Sequence, residues 1–263
     1  MKAKVNGTEI SYEVHGTEGA PWLTLSHSLA CSVRMWDPQI AAFKDRYRIL
    51  AFDTRGHGAS AAPRGAYTLE TLADDLQGLL DQLGIKRTHF AGLSMGGMIG
   101  QSFALKYPGV FQSLVLADTT SRIPAQAAPL WAERIRVAET QGLQPLVQPT
   151  LERWFTEPFR KSHPQVVGRI GALIASTPVA GYVGCSHAIP KINLTARLKE
   201  IKCPVLVICG EQDAGTPPAM SREIHDHAPG SKLVMIPQAA HLSNLEQPQV
   251  FTNAVEQFLA AVK

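Results

Sequence analysis

The chain contains a G-x-S-x-G motif, Gly92-Leu93-Ser94-Met95-Gly96, directly after the short apolar segment Thr88-His89-Phe90. If that segment is a strand and residues 98–107 form a helix, Ser94 lies on a sharp turn where only small flanking residues avoid clashes. Such a turn exposes a serine hydroxyl as a nucleophile, beside a helix N-terminus that favours negative charge. The motif also fits a turn that merely packs a helix onto a sheet, so the interpretation depends on the rest of the chain.

Composition limits the fold and the kind of partner. A chain of 263 residues with 45% apolar residues can bury a sizeable core, and α/β folds of this length are often one domain. The 25 Lys and Arg and 22 Asp and Glu give a net charge of only +3, and the basic residues are scattered. The first residues, Met1 to Asn6, do not show the apolar pattern expected of a leader segment, and no apolar run approaches the ~18 residues of a membrane helix. We therefore expect a cytoplasmic protein that binds neither nucleic acid nor membrane.

Strand-like and helix-like patterns alternate along most of the chain. The Asn6-Gly7 pair predicts an N-terminal hairpin, and Asp37 before Pro38 predicts the N-cap of a first helix. A leucine-rich segment with helical periodicity follows Thr68 and ends at Gly84. Further strands are predicted at residues 22–25, 47–52, 113–117, 204–209 and 232–236, and a closing helix at 248–262. This order predicts an α/β fold with a mostly parallel central sheet and helices on both faces.

Residues 122–193 differ in character from the segments on either side. Prolines recur, helical patterns appear at residues 130–140 and 165–175, and no strand pattern is convincing. We predict a helical insertion that forms a lid over the carboxyl edge of the sheet. The predicted organisation is a core of residues 1–121 and 194–263 with a lid of residues 122–193.

One segment superficially matches a dinucleotide-binding fingerprint, namely Gly56-x-Gly58-x-x-Ala61 after a predicted strand. That fingerprint requires a helix to begin within it and an acidic residue at the end of a second strand. Here Ala62-Pro63-Arg64-Gly65 continues the loop, and no such acidic residue follows. The context therefore disfavours a nucleotide cofactor.

Two further residues complete a catalytic arrangement. Asp213 and His241 each follow a predicted strand, so both are expected at the sheet edge where Ser94 lies. In this arrangement His241 takes the proton of Ser94 and returns it to the leaving group, while Asp213 orients the imidazole. Three weaker candidates for these roles lack the sharp turn and the chain order; they are Ser26, Ser28 and Asp53.

An oxyanion requires two backbone donors at the same edge. We assign them to the N–H groups of Met95, directly after the nucleophile, and of Leu29, in the loop that follows the predicted strand at residues 22–25. His27 and His57 are expected to brace the neighbouring loops through hydrogen bonds. The four cysteines lack metal-binding spacing, so we expect no metal and no cofactor.

The order serine, acid, histidine is that of the α/β-hydrolase superfamily, and the chain resembles 3-oxoadipate enol-lactonases in particular. The resemblance covers nearly the whole chain. The segments that carry it are residues 27–30, 35–39, 53–60, 92–97, His241 to Pro248 and the lid sequence Leu151-Glu152-Arg153-Trp154-Phe155-Thr156. It implies that Ser94 attacks the carbonyl of an enol-lactone ring and that water then releases the acyl-enzyme.

The resemblance also implies a small ester or lactone substrate with a pendant carboxylate. Candidate binding residues in the lid are Trp131, Arg134, Arg153 and Trp154. The alternatives are a broader carboxylesterase or arylesterase, a perhydrolase-like enzyme, and a hydrolase-fold receptor that binds a ligand without turnover.

Overall fold

The structure, a computed structural model, describes residues 1–262. Its centre is an eight-stranded sheet with the strand order β1-β2-β4-β3-β5-β6-β7-β8. The strands are β1 (Lys2–Val5), β2 (Thr8–His15), β3 (Trp22–Ser26), β4 (Arg48–Phe52), β5 (Thr88–Leu93), β6 (Phe111–Ala117), β7 (Val205–Gly210) and β8 (Lys232–Ile236). β2 pairs antiparallel with both β1 and β4, and all other pairs are parallel. The predicted α/β fold with a mostly parallel sheet is confirmed.

Six helices surround the sheet in the segments before and after the helical insertion. They are α1 (Asp37–Phe43), α2 (Leu69–Gln82), α3 (Met95–Lys106), α9 (Pro218–His227), α10 (Ser243–Glu246) and α11 (Pro248–Ala261). The Thr68 hydroxyl accepts a hydrogen bond from the Thr71 N–H at 3.0 Å, which confirms Thr68 as the cap of α2. The prediction that Asp37 is an N-cap is wrong, because Asp37 is already helical and its carboxylate pairs with Arg34 and Arg169 instead.

Alternate residues along the strands point to opposite faces of the sheet. In β6, Val115 lies in a core cluster with α1 and α11, whereas Leu114 and Leu116 lie in a second cluster with α2. The two clusters place helices on both faces, as predicted. Burial on both sides also explains why β7 is apolar at every position and why β5 and β6 carry polar side chains only within their first three residues.

Residues 122–193 contain five α-helices and no strand of the sheet. These are α4 (Ala128–Gln141), α5 (Gln144–Trp154), α6 (Glu157–Ser162), α7 (Pro164–Ser176) and α8 (Val179–Ala188). An isolated β-bridge joins Arg122 to Asn193, so the two ends of this segment lie side by side. No single helix in residues 1–262 is long and apolar enough to cross a membrane; the segments Pro164–Ser176 and Val179–Lys191, bent by 92°, meet that test only as a pair.

Candidate active site

Ser94 lies between the last residue of β5 and the first residue of α3. Its φ of 55° is in the left-handed region, so the backbone reverses sharply at the serine. A Cβ at Gly92 would lie 2.3 Å from the Gly96 carbonyl oxygen, and one at Gly96 would lie 2.2 Å from that of Ser26. Both glycines are therefore required by close backbone contacts. The helix begins three residues earlier than predicted, which places the Met95 N–H in its first turn.

Asp213 and His241 follow β7 and β8 and contact each other, as their positions in the sequence predict. The Nδ1 atom of His241 lies 2.9 Å from Oδ2 of Asp213, and both side chains are almost fully buried. Asp213 also accepts hydrogen bonds from the Gly215 N–H at 2.7 Å and from the N–H and hydroxyl of Thr216 at 3.0 and 2.8 Å. Burial opposes ionisation of Asp213, but His241 and these donors outweigh it and lower the pKa of the carboxyl.

Ser94 and His241 line one cavity of about 210 Å³ between the sheet edge and the helices of residues 122–193. The structure records no hydrogen bond between the two side chains, although both are among its described residues. In proteins without substrate, catalytic hydrogen bonds are often long and tighten in the complex. A larger groove of about 500 Å³ beside Tyr107 and Lys202 is lined by neither a histidine nor a carboxylate. The smaller cavity is therefore the one equipped for acid–base chemistry.

The loop after β3 forms one wall of this cavity and includes Leu29. The Cys31 N–H bonds to the Ser28 carbonyl at 3.2 Å, and Ala30 has a φ of 57°, so the loop is a tight turn. Leu29 on this turn lines the cavity, and Met95, the first residue of α3, directly follows Ser94. Their assignment as oxyanion donors stays a prediction.

His27 connects this loop to the loop after β4 through hydrogen bonds, and the sequence predicts such a bracing role. Its Nδ1 lies 2.7 Å from the Ser28 carbonyl oxygen, and its Nε2 accepts the Thr54 N–H at 2.9 Å. One nitrogen thus donates and the other accepts, which requires a neutral ring. Burial lowers the pKa of His27 to about 4 and that of the adjacent His57 to about 3.

The three weaker candidates are not arranged as a second catalytic set. The Asp53 carboxylate accepts the N–H groups of Val33 and Ala59, both at 2.9 Å, and so fixes the loop after β4. Ser26 is the buried last residue of β3, and Ser28 lines the cavity without a hydrogen-bond partner for its hydroxyl. Helix α2 begins only at Leu69, so the glycine-rich segment after β4 does not open a helix as a dinucleotide site would.

The four lid residues predicted to bind substrate all line the cavity. The guanidinium of Arg134 lies 4.8 Å from the ring centroid of Trp131, and that of Arg153 donates to the Thr150 hydroxyl at 3.2 Å. Burial lowers the pKa of Arg134, and burial and the Arg134 cation lower that of Arg153 to about 10. Both stay charged at neutral pH, and no carboxylate within residues 1–262 pairs with either. The cavity thus holds two cations that lack an anionic partner.

Trp154 also contacts the catalytic face directly. Its ring centroid lies 5.8 Å from that of His241, and its carbonyl accepts the Leu242 N–H at 3.1 Å. Glu246 connects the helical insertion to the segment that contains His241. Its carboxylate accepts the N–H group of Thr156 at 2.5 Å and that of Ala240 at 3.0 Å. This role of Glu246 is not predicted from the sequence, where the only signal is an acidic residue five positions after His241.

The comparisons with known proteins agree with this geometry. Residues 21–248 match the family model of the alpha/beta hydrolase fold. The chain belongs to the alpha/beta hydrolase family. Within this family it is 38% identical to 3-oxoadipate enol-lactonase 2 of Acinetobacter baylyi, over 94% of this chain and 91% of that protein. The resemblance stated from the sequence is therefore confirmed.

Two solved alpha/beta hydrolase structures are similar over essentially their whole length. The enol-lactonase from Burkholderia xenovorans has a TM-score of 0.96 at 38% identity and covers 99% of this chain and 100% of its own. A thermophilic esterase from Thermogutta terrifontis, with malate bound, has a TM-score of 0.94 at 31% identity and covers 100% and 99%. In alpha/beta hydrolases the nucleophile, acid and base follow the chain order serine, acid, histidine, which is the order of Ser94, Asp213 and His241.

Proposed function

We propose that this protein is a serine hydrolase that opens an enol-lactone with a pendant carboxylate. The observation that carries the proposal is the composition of one cavity, in which Ser94 and His241 face the cations Arg134 and Arg153. Two unpaired guanidiniums in a partly buried site favour an anionic ligand, because charge-assisted hydrogen bonds to a carboxylate offset their desolvation. The names of the enol-lactonase relatives support the same substrate class.

The proposed reaction proceeds through an acyl-enzyme. Ser94 Oγ attacks the ring carbonyl while His241 accepts its proton, and the N–H groups of Leu29 and Met95 stabilise the oxyanion. The ring C–O bond then breaks, and His241 donates the proton to the departing enolate oxygen. Water, deprotonated by His241, attacks the acyl-enzyme and releases a second carboxylate, while the freed enol tautomerises to a ketone.

We propose that residues 122–193 act as the lid that selects the substrate. The cavity wall opposite Ser94 comes from this segment, including Trp131, Tyr182 and Ile174. Such a wall shields the cavity from bulk solvent and adds apolar contacts to the lactone ring. The core of residues 1–121 and 194–263 then supplies the nucleophile, acid and base.

A broader carboxylesterase is the second candidate, favoured by the mostly apolar wall and by the similarity to the esterase structure. A panel of kcat/KM values separates the two. It includes a carboxylate-bearing enol-lactone, the methyl ester of that lactone and an aryl acetate. We expect the anionic lactone to be hydrolysed at least about 100-fold faster than the aryl acetate, a difference of about 3 kcal/mol in transition-state binding. Fast aryl acetate turnover without lactone opening would support the esterase instead.

Ser94→Ala tests the mechanism itself. We expect it to abolish turnover and labelling by a fluorophosphonate, because Ser94 is the only residue that the proposed mechanism uses as a nucleophile. The matched control is Ser102→Ala, since Ser102 is a buried serine on the same helix α3 outside the cavity. Retained hydrolysis in Ser94→Ala would refute the triad, and a wild-type protein that binds the lactone without turnover would indicate a receptor.

A further inference from the structure

The end of β6 contacts the loops of all three proposed catalytic residues. Asp118 directly follows β6 and is fully buried, with a φ of 45°. Its Oδ1 accepts the N–H of Gly210 at 2.7 Å, and its Oδ2 lies 2.5 Å from the hydroxyl oxygen of Ser243. Gly210 ends the strand that leads to Asp213, and Ser243 lies two residues after His241. One carboxyl group therefore joins the acid loop, residues 211–217 with Asp213, to the histidine loop, residues 237–246 with His241.

The neighbouring residue completes the connection to the nucleophile. The hydroxyl of Thr119 donates to the carbonyl of Ser94 at 2.7 Å, and the Ser94 N–H bonds to Ala117 at 2.9 Å. A movement of the β6 end would therefore displace Ser94, Asp213 and His241 relative to one another.

Asp118 and Asp213 are too close for both to carry charge at low cost. Their carboxylate oxygens and the sulfur of Cys209 all lie within 4.8 Å of one another, in a buried cluster. The charged groups that act on Asp118 are Asp213 and Glu246, both acidic, and Cys209 lies beside it; the basic groups His241 and Arg222 act on Asp213 and Cys209 instead. Burial and the Asp213 carboxylate both raise the pKa of Asp118.

The hydrogen bonds decide which carboxyl group keeps the proton. Asp213 accepts four, from Gly215, Thr216 twice and His241, whereas Asp118 has two partners. Donors stabilise the ionised form of a carboxyl group. Asp213 is therefore the ionised member of the pair, and the proton resides on Asp118.

We propose that Asp118 is a positioning residue which, as a neutral carboxylic acid, holds the loops of Asp213 and His241 in register for proton transfer. Neutrality leaves Asp213 as the single negative charge against the imidazole, while the two hydrogen bonds of Asp118 fix the geometry. This inference rests on the proposed triad, since a positioning role has no meaning without it.

The test compares two substitutions at one position. Asp118→Ala removes both hydrogen bonds, and we expect kcat to fall about 10-fold or more while KM changes less than about twofold. Asp118→Asn keeps the shape, accepts from Gly210 and donates to Ser243 without a charge. We expect it to recover kcat to within about threefold of wild type, with the acid limb of the pH profile unshifted. A shift of that limb by about one unit in Asp118→Asn would mean that Asp118 is ionised and overturn the proposal.

Two further measurements separate positioning from folding. Fluorophosphonate titration counts the competent sites in each variant, so that kcat is expressed per folded enzyme. Ser243→Ala removes only the link to the histidine loop, and we expect a smaller loss of kcat in the same direction. Wild-type kcat per site in both Asp118→Ala and Ser243→Ala would refute the positioning role. If the wild-type protein itself has no esterase or lactonase turnover, the proposed function fails instead.

Discussion

Ser94 adopts a backbone conformation that is costly for a residue other than glycine. Its φ of 55° requires compensation, and the hydrogen bonds of its N–H and carbonyl to the β6 end provide it. Gly92 and Gly96 allow the close backbone contacts on either side of this turn, where a Cβ would clash. The backbone of Ser94 is thus fixed before any substrate binds, which reduces the cost of reaching the transition state.

In the proposed function Arg153 binds the carboxylate of an anionic substrate, and its replacement tests this role at a single residue. We expect Arg153→Gln to lower kcat/KM for the carboxylate-bearing lactone by about 10-fold or more, because a hydrogen bond to a charged group contributes about 1.5 to 3 kcal/mol. Turnover of the neutral methyl ester should change little. Steady-state kinetics on both substrates measure the difference.

The matched control for this prediction is Arg136→Gln. Arg136 lies on α4 like Arg134, but it is exposed and paired with Glu133, so its loss should leave both substrates unaffected. An equal loss on the neutral and anionic substrates in Arg153→Gln would show that Arg153 supports the fold of the lid rather than the carboxylate.

The sequence predicts the residues that follow strands in chain order, and less of those whose role depends on tertiary contacts. Asp213 and His241 could be paired because parallel strands bring their carboxyl ends to one edge. Asp118 carries the same signal, an acid directly after an apolar strand, but nothing local distinguishes its buried, shared position. Arg134 and Arg153 could be identified from the sequence as candidate binding residues, but their lack of carboxylate partners depends on how the helices pack.

Among the elements, the helices of residues 122–193 were the least predictable. The sequence predicts helices at residues 130–140 and 165–175, the positions of α4 and α7, but does not predict α5, α6 and α8. Pro149 lies inside α5, where proline normally breaks a helix, and α8 contains Gly181 and Gly184, which have low helix propensity. Packing against the core outweighs these local preferences, and periodicity does not report it.

Helix α8 is held to the core by direct backbone contact. A Cβ at Gly181 would lie 1.9 Å from the Gly56 carbonyl oxygen, and the Gly184 carbonyl accepts the Tyr67 N–H at 3.0 Å. We expect Gly181→Ala to lower the free energy of unfolding by at least about 1 to 3 kcal/mol, as overpacking does, despite the better helix propensity of alanine. Urea denaturation measures the change.

Gly168→Ala is the matched control for α8. Gly168 lies in α7 with open space around its Cα, so alanine there should raise the free energy of unfolding by about 0.4 to 1 kcal/mol. The opposite signs at two lid glycines would separate close packing from helix propensity. Equal stabilisation at both positions would contradict the contact between Gly181 and Gly56.

At the scale of the whole molecule, the sheet and its two faces followed from the sequence. Alternating strand and helix patterns predict the layers, and strands buried on both faces read as continuous apolar runs. The strand order is less accessible, because β3 lies between β4 and β5 through a crossover that no local pattern records. Long-range pairing of this kind depends on the global packing of helices against the sheet.

The buried histidines predict how the stability of the whole protein depends on pH. The folded state resists protonation of His27 and His57, whose pKa values are about 4 and about 3, whereas both protonate near 6.5 when unfolded. Their contribution to the free energy of unfolding is complete above pH 6.5 and is lost as the pH falls towards 4. A shift of one pKa unit corresponds to about 1.4 kcal/mol, so we expect each histidine to lower the free energy of unfolding by about 3 kcal/mol across this range. Urea denaturation at a series of pH values measures the change.

His57→Gln isolates this effect from other acid-sensitive groups. Its neutral side chain removes one of the two depressed sites, so the decline in unfolding free energy between pH 6.5 and 4 should be shallower than in wild type. His163→Gln, at an exposed histidine, should retain the wild-type slope. Parallel slopes in all three proteins would mean that folding does not lower the pKa of His57.

The contacts of Trp154 and Glu246 have a consequence for how such proteins could be recombined. The lid segment meets the histidine loop through Trp154 with Leu242, Trp154 with His241, and Thr156 with Glu246. A graft that moved residues 122–193 alone onto another scaffold would sever these contacts and leave the Glu246 carboxylate short of a donor. An exchange of specificity should therefore transplant residues 238–247 together with the lid, because the two segments depend on each other's contacts.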